Sequence, residues 1–130
     1  MKLSLLSASL LSLAPALLLP TQAAIVVPGA NGSDGALNIT QDTVIDLSKA
    51  TTGTWDDNNS ANAGNGVYDP EKWAVVFKYT SVNVLAGKKL TFKNHATRAP
   101  VVWLVSGNVT IGGTVDLSGG GGNCLRQPAS

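Results

Sequence analysis

A chain of 130 residues with nine Lys and Arg against eight Asp and Glu has no charge excess with which to hold nucleic acid, and it is long enough for one small domain only. One histidine and one cysteine exclude a zinc site, which needs three or four protein ligands, and exclude an intrachain disulfide. Fourteen glycines against three Trp, two Tyr and two Phe predict an all-β chain with many turns.

Residues 1–23 read as a secretory signal peptide. Lys2 supplies the positive start, Leu3 to Leu19 is apolar and uncharged, and Thr21-Gln22-Ala23 places small residues at the cleavage point. Serines and Pro15 make the stretch a poor membrane span. Secretion to the periplasm, the medium or the cell surface follows, with no membrane contact once the leader is removed. Residues 24–36 hold Pro28-Gly29 and Asn31-Gly32-Ser33-Asp34-Gly35, turn formers that predict a flexible lead-in.

Residues 37–118 form the predicted β domain. Leu37-x-Ile39 and Val44-Ile45-x-Leu47 alternate with the period of half-buried strands. Lys49 to Lys72 is a polar loop rich in Asp, Asn, Gly and Ser, with Trp55 and Tyr68 placed to pin its two ends to the core. Asp57, Asn59 and Asp69 raise a calcium hypothesis, but Ala61 falls where an EF-hand needs its third ligand, and a solvated surface loop is the simpler reading. Trp73 to Tyr79 is rich in β-branched and aromatic residues and reads as a strand, with Lys78 facing solvent. Val82 and Val84, then Ala86-Gly87, then Leu90 and Phe92 make a second apolar-x-apolar pair around a corner.

The clearest copy of that unit follows a buried run, Val101-Val102-Trp103-Leu104-Val105. It consists of Val109-x-Ile111, the pair Gly112-Gly113, and Val115-x-Leu117. Gly112-Gly113 reads as a tight turn that uses positive φ. Val82 to Val109 and Val84 to Ile111 are 27 residues apart; Leu90 to Val115 and Phe92 to Leu117 are 25 apart. Such periods mark arrays of stacked units. They predict the opening coils of a right-handed parallel β-helix, each coil needing a neighbour on its apolar face. The alternative is a small antiparallel β-sandwich, in which Asn108–Ser118 would be a hairpin.

Between Trp73 and Val115 lie five basic residues and no acidic one. Lys88, Lys89, Lys93 and Arg98 are therefore the candidate contacts for an anionic glycan, against the simpler reading that lysines guard exposed strand edges. No other chemistry is legible. His95 stands alone, no G-x-S-x-G nucleophile signature occurs, and no two carboxylates can be placed across a cleft at the roughly 5–9.5 Å that glycosidases need. No catalytic residue, cofactor or metal is assigned. Asn31, Asn38, Asn59 and Asn108 head Asn-x-Ser/Thr sequons, which carry glycans only in a eukaryotic secretory pathway. Residues 119–130 are glycine-rich and then lose all alternation, which predicts a disordered or out-of-frame tail in which Cys124 is the lone thiol.

Three segments, Trp73-Ala-Val-Val-Phe-Lys-Tyr79, Phe92-Lys-Asn-His95 and Arg98-Ala-Pro-Val-Val-Trp-Leu-Val-Ser-Gly-Asn-Val-Thr-Ile111, resemble the N-terminal part of a group of uncharacterised bacterial exported proteins. The resemblance spans Trp73 to Gly119, about a third of the chain. It implies a solenoidal β-protein that continues through further glycine-rich coils, and it brings no catalytic residues. The sequence thus predicts an exported, non-catalytic β-solenoid with a cell-surface or structural role, truncated with respect to its relatives. The alternative is a polysaccharide-binding or polysaccharide-degrading protein whose active coils lie beyond Ser130.

Overall fold

The computed structural model describes Pro15 and residues 26–119. The signal-peptide expectation for residues 1–23, Cys124 and all but the first residue of the 119–130 tail lie outside the described residues.

The chain is all-β. Nine strands are described: β1 Gly35–Ile39, β2 Thr43–Asp46, β3 Thr51–Thr52, β4 Val67–Asp69, β5 Ala74–Val84, β6 Lys89–Lys93, β7 Val101–Val105, β8 Val109–Ile111 and β9 Thr114–Asp116. Two single 3₁₀ turns, Leu47–Lys49 and Ser60–Asn62, are the helical elements among the described residues.

Two sheets face each other across the core. In the first, β5 is the hub. One edge takes β4 antiparallel and then β1 parallel, and the other takes β7 and then β8, both parallel. In the second, β6 lies between β2 and β9, all parallel. The pairings place Leu37, Val82 and Val109 side by side, then Ile39, Val84 and Ile111. Across the core, Ile45 pairs with Phe92 and Leu90 with Val115. Three of the four pairs that match at spacings of 27 and 25 in the sequence, Val82 with Val109, Val84 with Ile111 and Leu90 with Val115, are thus lateral neighbours in parallel strands, whereas Leu117 lies past the end of β9.

Asn108–Ser118 is therefore not a hairpin. β8 and β9 belong to different sheets, and each pairs with a strand of the preceding unit. The corner between them also works differently from a positive-φ turn. Neither Gly112 nor Gly113 has positive φ. Gly113 is glycine because a Cβ there would overlap the carbonyl oxygens of Leu85 and Lys88. The corner of the third unit sits directly on the corner of the second, and Gly112 N–H donates to Val84 O at 2.8 Å while Thr114 N–H donates to Lys88 O at 2.8 Å. Asp42, where the first unit lacks a corner glycine, serves the same junction by accepting the Lys89 N–H through Oδ1 at 2.9 Å.

Strand β5 is longer than the sequence pattern shows, because the two runs Trp73–Tyr79 and Ser81–Val84 merge. The facing side changes phase within it: Val75, Phe77 and Tyr79 point into the core, and so do Val82 and Val84. The register of β1 on β5 shifts at the same place, between Gly35 and Ala36, which is how a bulge corrects a one-residue change of phase. The core gathers these five with Ile39, Ile45, Leu47, Leu90, Phe92 and Ala99. Each of the Val, Ile, Leu and Phe side chains among them stabilises by about 1.5–3 kcal/mol when fully buried.

Substituting Gly113→Ala is expected to lower the unfolding free energy by about 1–3 kcal/mol through overpacking against carbonyl oxygens that cannot move without breaking the ladder. Gly87→Ala, at a positive φ of 73° in open space, is expected to cost about 1 kcal/mol. Urea titrations of the two variants check the order.

Candidate functional site

The expected basic face is largely neutralised. Lys89 and Lys93 project from β6 on the side away from the core. Lys89 Nζ meets Asp116 of β9 at 2.6 Å, and Lys93 Nζ meets Asp46 of β2 at 3.0 Å. Each acid belongs to an Asp-Leu-Ser triplet in which the carboxylate also accepts the N–H and the hydroxyl of the serine two residues on. The Ser48 hydroxyl, with Lys93 beside it, holds the Asp46 carboxyl down at about 2. Lys89 and Ser118 hold Asp116 well below the usual carboxylate range, and Asp116 in turn raises Lys89. Lys88 lies in the turn before β6. Arg98 is exposed in the left-handed region at φ 56°. Neither forms an ion pair among the described residues.

Lys78 departs most from expectation. It does not face solvent: its relative exposure is 0%. It follows Ala74 and Val76 on the outer side of β5, and segments 27–34 and 53–64 cover that side. Ala30 and Trp55 pack there on Ala74, Val76 and Leu104. The Lys78 ammonium donates to the carbonyl of Asp57, while its backbone is gripped by Asp34. The Asp34 N–H donates to Lys78 O at 2.8 Å, and the Lys78 N–H donates to Asp34 Oδ2 at 2.6 Å. Asp34 Oδ1 further accepts Asn59 Nδ2 at 2.6 Å and the Gly64 N–H at 2.8 Å. Within the lead-in of residues 24–36, then, Asp34 is a buried anchor and β1 already begins at Gly35.

The polar stretch 49–72 is likewise built rather than loose. It contributes β3 and β4, and it buries Asn59 and Asp69, so a solvated surface loop does not describe it. The three residues of the calcium hypothesis serve separate purposes. Asp57 accepts the N–H and hydroxyl of Thr54, which lower its pKa. Asn59 holds Asp34 and is too buried for its sequon to be reached. Asp69 is raised by burial but brought below its ordinary value by the N–H groups of Lys72, Trp55 and Glu71. It thereby closes the β4–β5 turn, where Trp73 is held exposed at φ 49°. Trp55 and Tyr68 do pin the stretch: Trp55 packs on the outer face of β5, and Tyr68 stacks on His95 with centroids 4.3 Å apart. His95 Nδ1 is 2.8 Å from Thr97 Oγ1 and is engaged in this local turn, with no carboxylate hydrogen-bonded to it among the described residues.

A third feature is the apolar face that a stacked unit leaves open where no described neighbour lies on it. The apolar side chains of β8 and β9 repeat the inward positions of β5 and β6 yet remain uncovered. Val82 and Val84 are 1% and 0% exposed, whereas their neighbours Val109 and Ile111 are 52% and 45% exposed, and Leu117 reaches 71%. A shallow apolar cavity opens there between Phe92, Val101, Trp103, Val115 and Leu117.

Searches against protein-family models, curated proteins and solved structures return no match, so function is read from these features alone.

Two outcomes test the polar machinery. Asp34→Ala strands three N–H donors in a buried site and is expected to cost about 3 kcal/mol or more. Lys78→Met replaces a buried ammonium by an apolar chain of similar length and is expected to cost under about 1 kcal/mol or to stabilise; denaturant titration measures both. Because Asp46 titrates at about 2 when folded against an ordinary 3.8, its contribution is present above about pH 4 and lost as pH falls towards 2. Asp116 has the same sign. The melting temperature should fall over that window, and Asp46→Asn with Asp116→Asn should flatten the fall.

Proposed function

We propose that this chain is the opening part of an exported parallel β-helix with a structural or cell-surface role and no catalysis of its own. One observation carries the reading: three successive apolar-x-apolar strand pairs lie parallel in two facing sheets, with equivalent residues side by side. A sandwich of hairpins would pair consecutive strands antiparallel, and β4 with β5 is the one such pair described. The polar features support the same reading. The two surface ion pairs tie neighbouring units together, and Asp34, Asn59 and Lys78 lash a cover onto the outer face of β5. These groups are spent on holding the structure and leave no converging acid, base and nucleophile among the described residues. The leader-like residues 1–23 and the resemblance of Trp73–Gly119 to exported solenoidal proteins point the same way.

Two experiments test this. In amide exchange, Val82–Val84 and Leu90–Thr91, with a paired strand on each side, are expected to be the most protected, and β8 and β9 the least. Strong cross-strand nuclear Overhauser contacts between Val109 and Val115 would instead establish a hairpin and end the β-helix reading. For location, protease treatment of intact bacteria expressing the chain is expected to remove it; retention inside the cells would end the surface role.

A further inference from the structure

The polar stretch 49–72 encloses a hollow whose hydrogen-bonding groups the fold does not use up. A cavity of about 390 Å³ opens between β3 and segment 57–62, within the roughly 300–1,000 Å³ of small-molecule sites. Three residues on its wall keep free capacity. The Thr52 hydroxyl has no partner among the described residues. Asn58 Oδ1 accepts the Ser60 N–H at 2.8 Å, which leaves the two hydrogens of its Nδ2 unspent. The Asp57 carboxylate accepts the Thr54 N–H at 2.8 Å and the Thr54 hydroxyl at 2.9 Å. Each of its oxygens keeps a lone pair, and these bonds hold it ionised.

The wall is fixed in advance. Asn62 donates to the Thr51 hydroxyl and the Gly66 carbonyl and accepts from Asn65. Asn59, behind it, is buried on Asp34. A ligand entering here therefore does not have to order the site.

We infer that this cavity binds one sugar unit of a neutral glycan. Sugar hydroxyls both donate and accept, so they need a carboxylate, an amide donor and a hydroxyl in one place, and Asp57, Asn58 and Thr52 supply that set. Ala61 and Val67 add apolar wall for the C–H side of the ring. No Lys or Arg lines the cavity, and the charge on Asp57 repels an anionic glycan. A calcium ion takes roughly six to eight oxygens and favours several carboxylates, whereas this wall offers one carboxylate already engaged by Thr54. A peptide adding to the sheet needs a longer edge than the two residues of β3. The inference uses no stacking of units, so it stands apart from the β-helix reading and goes beyond it by giving a surface protein a class of ligand.

The test is a titration of the full ¹⁵N-labelled chain with the methyl glycosides of glucose, galactose, mannose and N-acetylglucosamine, followed by amide chemical shifts. Saturable shifts at the Thr52 backbone and Asn58 side-chain amides are expected with at least one of them, and none with galacturonate. Asn58→Asp keeps the oxygen that accepts from Ser60 and removes the donor. Thr52→Val keeps the β-branched shape and removes the hydroxyl. Each is expected to weaken binding about two- to tenfold, the worth of one hydrogen bond, with the rest of the spectrum unchanged. No saturable shift with any glycoside, shifts confined to other parts of the chain, tighter binding of galacturonate, or full affinity in both variants would each overturn the inference. So would the same shifts on adding calcium chloride alone. A well-dispersed spectrum that no glycoside moves removes the sugar site and leaves the fold and the β-helix reading untouched.

Discussion

Both edges of one strand are occupied along its length, and the rest of the molecule depends on that. β5 exchanges backbone hydrogen bonds with β4 and β1 on one side and with β7 and β8 on the other. Its inward side chains supply Val75, Phe77, Tyr79, Val82 and Val84 to the core. A strand so bonded cannot slip by one residue without turning all of these outward. The change of phase near Thr80 is taken up as one extra residue of β5, which spans Tyr79 to Ser81 against the single step Gly35 to Ala36 of β1.

What β5 lacks is a second layer of strands on its outer face. The chain covers that face with irregular backbone, whose polar groups must be satisfied one by one. Asp34 does most of this. Its carboxylate takes three N–H donors, and its own N–H reaches the Lys78 carbonyl. Lys78 completes the arrangement by extending beneath the cover to the Asp57 carbonyl. A lysine suits the place because its long apolar stem continues the row begun by Ala74 and Val76, while its ammonium meets the cover's backbone.

The ion pairs do a different job. Lys89 with Asp116, and Lys93 with Asp46, bridge adjacent parallel strands on the solvent side. Exposed pairs of this kind contribute little stability each. Their value is in register and in charge balance: a cluster of bases that looks like a binding face in one dimension is matched by acids from the preceding and following units.

By itself the sequence determined the all-β class, the apolar-x-apolar units and their spacing. Period-two alternation and glycine corners are local properties, and the 27- and 25-residue offsets name the residues that become lateral neighbours. Trp55 and Tyr68 were legible as anchors because large aromatics in a polar stretch have few other uses. Only the tertiary structure decided the rest. Lys78 is buried because two segments distant in the chain, 27–34 and 53–64, fold over it, and alternation alone places it on an outer face without saying whether that face is wet. Asp34 sits among turn formers and gains its role only when Asn59, Gly64 and Lys78 converge on it. Gly113 reads as a flexible corner until the carbonyls of Leu85 and Lys88 are seen against it. The difference between a buried Val84 and an exposed Ile111, two β-branched residues in the same setting, is that β8 lies beside Val84 and no described strand lies on the far side of Ile111.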